Sequence, residues 1–101
     1  MNRTYEITGS RMIAYMPREV DHHQAEELIK KWDMVIEGSH IKELIFDFSK
    51  TEFMDSSGIA LILRAQQRMQ LLDGSVLVCN VPAQAKRVLD AAGIGRLVTI
   101  K

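Results

Sequence analysis

The sequence contains one cysteine, two prolines and no long apolar run. A single cysteine cannot form a disulfide within the chain, so we expect a reducing compartment, the cytoplasm. No segment approaches the roughly 18 consecutive apolar residues that a membrane-spanning helix requires. The first residues also lack the pattern of a signal peptide. These absences argue against a secreted or membrane-embedded protein.

The sequence also lacks an excess of charge of either sign, because 13 basic residues balance 13 acidic ones. A neutral chain has no electrostatic attraction toward nucleic acid or an anionic membrane surface, so we expect neither as a direct partner. The composition is 47% hydrophobic and 26% charged, which is typical of globular proteins. With 101 residues, the sequence predicts one small domain spanning residues 1–101.

Hydrophobic patterning predicts alternating strands and helices after an initial hairpin that turns at Gly9-Ser10. The predicted strands are Tyr5–Thr8, Met12–Met16, Leu44–Phe48, Ser75–Cys79 and Leu97–Ile100, and helices are predicted to begin near Asp21, Ser56 and Pro82. Such an alternation predicts an α/β fold with a mostly parallel sheet. Right-handed crossovers place successive helices on one face if the sheet grows in one direction. The uninterrupted apolar character of Ser75–Cys79 predicts burial on both faces or nearly so.

The second predicted helix has two distinct faces on a 3.6-residue wheel. The predicted core face contains Leu61, Ile62, Ala65, Met69 and Leu72. The predicted outer face contains Ala60, Arg64, Gln67, Arg68 and Leu71. Ser56 projects on the outer side, so its hydroxyl and an exposed strip of helix would face a partner together.

The start of this helix, Asp55-Ser56-Ser57-Gly58, combines capping residues with hydroxyl groups. Backbone N–H groups and the helix dipole favour an anion at such a position, so a phosphate on Ser56 would be tolerated. The alternative is that Ser56 is only an N-cap, which is worth about 1 kcal/mol of stability. Ser57 is a second possible acceptor and the expected backbone cap.

Other chemistry-bearing residues do not form recognisable sites. His22 and His23 are adjacent, so they do not share a helix face, and no third ligand follows at metal spacing. Gly93-Ile94-Gly95 lacks the downstream features of a dinucleotide fingerprint. An enzyme that uses Asp55 and Ser56 would need a base, and none is placed within reach by the sequence. We therefore expect no enzymatic activity, no metal site and no cofactor.

Three stretches, taken together, resemble the STAS-domain family of bacterial anti-sigma factor antagonists. Asp55-Ser56-Ser57-Gly58 after the Leu44–Phe48 strand resembles the family's phosphorylation-site motif. Val20-Asp21-His22-His23-Gln24-Ala25-Glu26 resembles the Leu-Asp-His-His motif at the start of its first helix. Val76-Leu77-Val78-Cys79 resembles the family's next strand. Pro82-Ala83 and Lys86-Arg87-Val88-Leu89 resemble the helix that follows that strand. The likeness covers nearly the whole chain and is greatest to the sporulation-type antagonists.

The resemblance implies the STAS fold, a mixed and mostly parallel sheet of about five strands with helices packed alongside. It also implies a regulatory cycle. The unphosphorylated antagonist binds an anti-sigma factor that is also a serine kinase, and this binding releases the sigma factor. The kinase, which supplies ATP and Mg²⁺, then phosphorylates the first serine of the motif, Ser56, and the antagonist dissociates. A serine phosphatase resets the cycle.

The resemblance and the outer helix face together define the expected docking residues around Ser56. They are Asp21, His22, Asp55, Ser57, Gly58, Ala60, Arg64 and Gln67. In the implied fold, Asp21 lies close to the Asp55–Ser56 loop. Asp21 and Asp55 then either cap helices, orient the Ser56 hydroxyl or contact the kinase. Gly58, which lacks a Cβ, would let a partner or phosphodonor approach closely, or else it only relieves crowding with the neighbouring loop.

The sequence departs from the family pattern at a few positions. Arg18 and Ala60 stand where glycine is frequent, which changes a turn and adds a methyl group to the exposed strip. Many family members carry another helix after the last strand, and the sequence stops at Lys101 before it. We therefore expect the flank that this helix would cover to be more exposed. The alternative function is a STAS module that serves as a scaffolding or regulatory subunit of a transporter or sensory complex, with Ser56 as a helix cap.

Overall fold

The computed structural model describes residues 4–101, in which strands and helices alternate after an initial hairpin. The strands are β1 (Tyr5–Thr8), β2 (Arg11–Tyr15), β3 (Glu19–Val20), β4 (Glu43–Asp47), β5 (Phe53–Met54), β6 (Ser75–Cys79) and β7 (Thr99–Ile100). The helices are α1 (His22–Glu37), α2 (Ser56–Leu71) and α3 (Ala83–Ala91), followed by a short 3-10 helix (Ile94–Arg96). Of the helices in this part of the chain, none has the length and apolar character that crossing a membrane requires.

The predicted hairpin is confirmed. β1 and β2 are antiparallel and pair Thr8 with Arg11 across the turn. Gly9 has φ +61° in this turn, a left-handed conformation that glycine adopts without the steric cost of a Cβ. The turn therefore sets the register of the first two strands.

A five-stranded sheet in the order β1-β2-β4-β6-β7 forms the centre of the fold. All neighbouring pairs except β1–β2 are parallel, so the predicted mixed, mostly parallel sheet is confirmed. After β2, each new parallel strand is added at the same edge. Right-handed crossovers then carry the helices over one face of the sheet, as the sequence pattern predicted.

The burial of the central strands shows that, within residues 4–101, the helices cover only one face of the sheet. Residues facing the helices are buried: Met12, Ala14, Leu44, Phe46, Val76 and Val78. On the other face, Ile13, Ile45 and Leu77 form a cross-strand row and are half-buried. The prediction that β6 is buried on both faces or nearly so is confirmed for one face only, because the helices that cross over the sheet all lie on that side and leave Leu77 half-buried. Cys79 lies on the uncovered face and is also half-buried, not a core residue.

The helices supply the other half of the core. Trp32 of α1 is 3% exposed and packs on Phe46 with 5.3 Å between ring centroids, as expected for a core tryptophan. Leu61, Ile62 and Met69 of α2 are buried, whereas Leu72 is 37% exposed. Leu72 was predicted to face the core, but α2 ends at Leu71 and the next residue leaves the helical face.

The short strands β3 and β5 were not predicted. They pair in parallel, with Val20 opposite Met54, and form a separate two-stranded sheet. Strands of two residues carry no readable alternation, so pattern analysis misses them. They matter because each leads directly into a helix: β3 into α1, and β5 into α2.

Asp47 links the end of β4 to the neighbouring loops. Its Oδ1 accepts hydrogen bonds from the Ser49 backbone N–H at 2.8 Å and from the Asn80 side-chain amide at 3.3 Å. Partial burial by itself raises the pKa of Asp47, but the hydrogen bonds from Ser49 and Asn80 outweigh this effect, so the pKa is lowered. The ionised carboxylate is therefore the form that stabilises the folded chain.

This lowered pKa predicts a stability difference that depends on pH. An Asp has an unfolded-state pKa of about 3.9, so the stabilisation by Asp47 is present above that pH and is lost as the pH falls through the lower folded-state value. Asp47→Asn keeps an acceptor for Ser49 but cannot ionise. We expect the variant to be less stable than wild type at pH 7 and the difference to shrink toward pH 2–3, measured by urea unfolding at each pH. A difference that does not change with pH would contradict this assignment.

Gly74 is predicted to be intolerant of a side chain. A Cβ at this position would lie 2.5 Å from Met69 Cε and 2.7 Å from the Lys42 backbone oxygen. We expect Gly74→Ala to lower the free energy of unfolding by about 1–3 kcal/mol through overpacking. Gly95→Ala is the matched control, because its Cβ would meet Ile100 Cδ1 at an ordinary 3.8 Å. Equal losses in the two variants, measured by urea denaturation, would contradict the steric explanation.

Candidate functional site

Two helix N-termini lie side by side at the site. β3 and β5 pair in parallel, and the residues that follow them, Asp21 and Asp55, are the N-caps of α1 and α2. The Asp55 N–H donates to the Val20 carbonyl oxygen at 3.1 Å, which continues the strand pairing up to the cap. Neighbouring strands are about 4.8 Å apart, so the expectation that Asp21 lies close to the Asp55–Ser56 loop is confirmed.

Asp21 and Asp55 each use one carboxylate oxygen to cap the helix that follows. Asp21 Oδ1 accepts from the Gln24 N–H at 3.0 Å, and Asp55 Oδ1 accepts from the Ser57 N–H at 2.8 Å. Each carboxylate therefore satisfies a backbone donor that a helix start leaves unpaired. The expectation that Ser57 caps the helix is wrong, because Asp55 fills this role and Ser57 supplies only a backbone N–H.

Ser56 is the first residue of α2 and is exposed. Within residues 4–101, its hydroxyl makes no hydrogen bond. The alternative that Ser56 is the N-cap is therefore wrong, again because the Asp55 carboxylate occupies that position. The hydroxyl is open to solvent at the positive end of the helix dipole, where an added phosphate would be favoured electrostatically.

An exposed strip runs along α2 from Ser56. Its members are Ser56, Ala60, Arg64, Gln67 and Leu71, and they are all exposed, as the helical wheel predicted. Leu71, at the far end, is 87% exposed. We call this set the α2 strip. It presents a hydroxyl, a methyl, a cation, an amide and an apolar side chain on one face.

Two ion pairs tie α2 to α1, and one of them involves Arg64 of the α2 strip. Arg64 lies 3.0 Å from Asp33, and Arg68 lies 2.8 Å from Glu37. Exposed pairs of this kind contribute about 0–1 kcal/mol each, so their main effect is to set the direction of the Arg64 guanidinium. Arg68 is half-buried rather than on the outer face.

The other predicted docking residues differ in exposure. His22 is exposed beside its Asp21 cap, and its ring lies 3.9 Å from Glu26. Asp21, Asp55 and Ser57 are half-buried. Each of these side chains therefore retains some surface at the site.

Gly58 is the exception among the predicted docking residues. It is buried, and a Cβ there would lie 2.5 Å from Met54 Sδ and 3.3 Å from Val20 Cγ1. The prediction that Gly58 gives a partner close approach is wrong and the alternative of local crowding is confirmed, because this residue faces the β3–β5 pair. Its missing side chain lets the first turn of α2 pack directly on those strands.

Gln84 is a site residue that the sequence did not reveal. Its side-chain amide, on α3, makes two hydrogen bonds of 2.9 Å to the backbone of Met54, which directly precedes the Asp55 cap. A glutamine in the first turn of a helix reads as an ordinary polar residue, so no local signal predicts this contact. It depends on how α3 packs against β5.

Comparisons with known proteins show which family the chain belongs to. The model of the STAS domain family matches residues 2–101. The chain belongs to the STAS domain family. This STAS domain is 28% identical over 102 residues to an anti-sigma F factor antagonist of Paenibacillus polymyxa, a match that covers 99% of the chain and 87% of that protein.

Solved structures agree with the fold of this STAS domain. The anti-sigma factor antagonist SpoIIAA in its unphosphorylated form superposes with a TM-score of 0.86 at 24% identity, over 96% of the chain and 85% of SpoIIAA. The Bacillus cell fate determinant SpoIIAA in its phosphorylated form gives 0.76 at 25% identity, over 96% and 88% of the two chains. The predicted STAS fold is confirmed.

The division of roles between Asp55 and Ser56 predicts different effects on stability. Asp55→Ala removes the cap of α2 and should lower the free energy of unfolding by about 1 kcal/mol. Ser56→Ala removes an unbonded exposed hydroxyl and should change it by no more than about 0.5 kcal/mol. Chemical denaturation of the two variants beside wild type measures both. Equal losses would mean that the Ser56 hydroxyl also caps the helix.

Proposed function

We propose that this STAS domain is an anti-sigma factor antagonist controlled by phosphorylation of Ser56. The observation that carries the proposal is the exposed Ser56 hydroxyl, which makes no hydrogen bond within residues 4–101 and stands at the head of the α2 strip. The name of the Paenibacillus polymyxa relative and the two states of SpoIIAA support it. The domain itself acts as a regulator and substrate, not as an enzyme.

In the unphosphorylated state, the proposed docking surface is the α2 strip together with the two helix starts. Its exposed members include the neutral Ser56 and Ala60, which leave the first turns of α2 flat enough for a flush contact. Arg64, held by Asp33, and Gln67 then offer oriented polar groups further along the helix. Docking of an anti-sigma factor on this surface releases the sigma factor.

Phosphorylation changes this surface without requiring the domain to refold. A phosphoserine adds about −1.5 to −2 charges and three acceptor oxygens. The Asp55 carboxylate keeps its bond to the Ser57 N–H, so α2 retains its cap. The new charge stands beside Asp21 and Asp55, so the docking surface becomes strongly acidic. A partner that packs against Ser56 must then bury or face this charge, which weakens binding.

The remaining components of the cycle belong to other proteins. The anti-sigma factor is also the serine kinase, and it binds the ATP and Mg²⁺ that the transfer uses. A serine phosphatase removes the phosphate from Ser56 and restores the docking surface. We place this cycle in the bacterial cytoplasm, where ATP is available to the kinase.

The test is incubation of the protein with its cognate anti-sigma factor kinase, ATP and Mg²⁺, followed by intact-mass spectrometry and peptide mapping. We expect one added phosphate, on Ser56, and none on the Ser56→Ala variant. A phosphate on Ser57 in place of Ser56 would contradict the assignment of the acceptor. No phosphate from a kinase shown to be active on its own substrate would favour the scaffolding role instead.

Binding measurements test the switch itself. Ser56→Asp should bind the kinase at least about tenfold more weakly than wild type, because it places a fixed charge at the docking surface. Ser56→Ala should bind well and should not be released by ATP. Ser10→Asp is the control, since it adds the same charge at the exposed hairpin turn. Calorimetry that finds tight binding by Ser56→Asp would contradict the off-switch.

A further inference from the structure

The backbone that leads to Ser56 is held on one edge by β3. The N–H groups of Phe53 and Asp55 donate to the carbonyl oxygens of Arg18 and Val20 at 3.2 and 3.1 Å. Backbone groups of successive strand residues point to opposite edges. The N–H and C=O of Met54 therefore point away from β3. They face the other edge of β5, where the two-stranded sheet has no third strand among residues 4–101.

Gln84 of α3 closes this second edge. Its Oε1 accepts from the Met54 N–H at 2.9 Å, and its Nε2 donates to the Met54 carbonyl oxygen at 2.9 Å. A primary amide carries the same donor and acceptor as a peptide group, so Gln84 takes the place of one residue of a third strand. The next residue, Ala85, and Leu89 are fully buried and anchor α3 to the core.

The side chain of Met54 is also fixed by packing. It is fully buried, and it packs so closely on Gly58 of α2 that a Cβ there would clash. Met54 thus contacts β3, α2 and α3 at once, immediately before the cap Asp55 and the acceptor Ser56. Among residues 4–101, Gln84 is the one side chain that hydrogen-bonds the Met54 backbone.

We propose that Gln84 is a positioning residue for Ser56. By fixing the Met54 peptide groups, it fixes the Asp55 cap and holds the Ser56 hydroxyl in one place relative to the α2 strip. Transfer of a phosphoryl group depends on such placement, because small displacements of a reacting atom cost large factors in rate. The effect on phosphorylation rests on the proposed function, whereas the effect on local order does not.

The first readout is amide hydrogen exchange by NMR, which needs no partner. Gln84→Met keeps the length and much of the packing of the side chain but has neither the amide donor nor the acceptor. We expect the Met54 amide to exchange at least about tenfold faster in this variant, with smaller increases up to Ser57, while amides of β4 and β6 are unchanged. Gln70→Met, at an exposed position on α2, is the matched control and should leave all of these rates unchanged.

The second readout is the kinetics of Ser56 phosphorylation by the cognate anti-sigma factor kinase with Mg²⁺ and ATP. We expect kcat for Gln84→Met to fall about tenfold with little change in KM, because the α2 strip is intact and only the placement of the hydroxyl is altered. A purely structural role would instead lower the melting temperature and speed exchange throughout the chain.

The outcomes separate this inference from the proposed function. If the kinase does not phosphorylate wild-type protein, the proposed function fails, and hydrogen exchange still decides whether Gln84 orders the segment. If Gln84→Met matches wild type in Met54 exchange or in kcat, the positioning role is overturned. Should Gln84→Met fail to fold, Gln84→Glu replaces it, since this variant keeps the acceptor for the Met54 N–H but loses the donor to the carbonyl. The same criteria then apply to Gln84→Glu.

Discussion

The parallel pairing of Val20 with Met54 is the contact on which the rest of the site depends. It joins two strands of only two residues each, and the Asp55 N–H extends it by one hydrogen bond. Because each strand leads directly into a helix, this pairing places the N-termini of α1 and α2 together. Gly58 permits the close packing of α2 on this pair, since a Cβ there would lie 2.5 Å from Met54 Sδ and the packing would have to shift. Without this pairing, the Ser56 hydroxyl would lie at the N-terminus of α2 with no second helix N-terminus beside it.

A second constraint is that capping and modification fall on different residues. The Asp55 carboxylate satisfies the helix start, and the neighbouring Ser56 hydroxyl makes no hydrogen bond within residues 4–101. A serine that served as the cap would lose its hydrogen bond when it was modified, and the helix would be weakened. Here, an added phosphate would alter the charge of the surface while the cap stays in place. This separation suits a switch that acts on binding rather than on folding.

The one-sided sheet explains how a third helix reaches the same site. Since each parallel strand is added at the same edge, the crossovers lay α1, α2 and α3 on one face. α3 therefore lies close enough to β5 for Gln84 to hydrogen-bond the Met54 backbone. The opposite face keeps a half-buried row that includes Ile45 and Leu77. The same topology thus places α1, α2 and α3 on the sheet face nearest to Ser56, and within residues 4–101 it leaves the other face without a helix.

Features that depend on a few neighbouring residues were determined by the sequence itself. The hairpin at Gly9, the three helices, the exposed α2 strip and the position of Ser56 at a helix start all follow from local periodicity and capping chemistry. The short strands, the open face beside β6, the burial of Gly58 and the contact of Gln84 with Met54 did not. Each of these depends on what another part of the chain places alongside. Only the tertiary structure decided them, because contacts between segments about 30 residues apart leave no local pattern in the sequence.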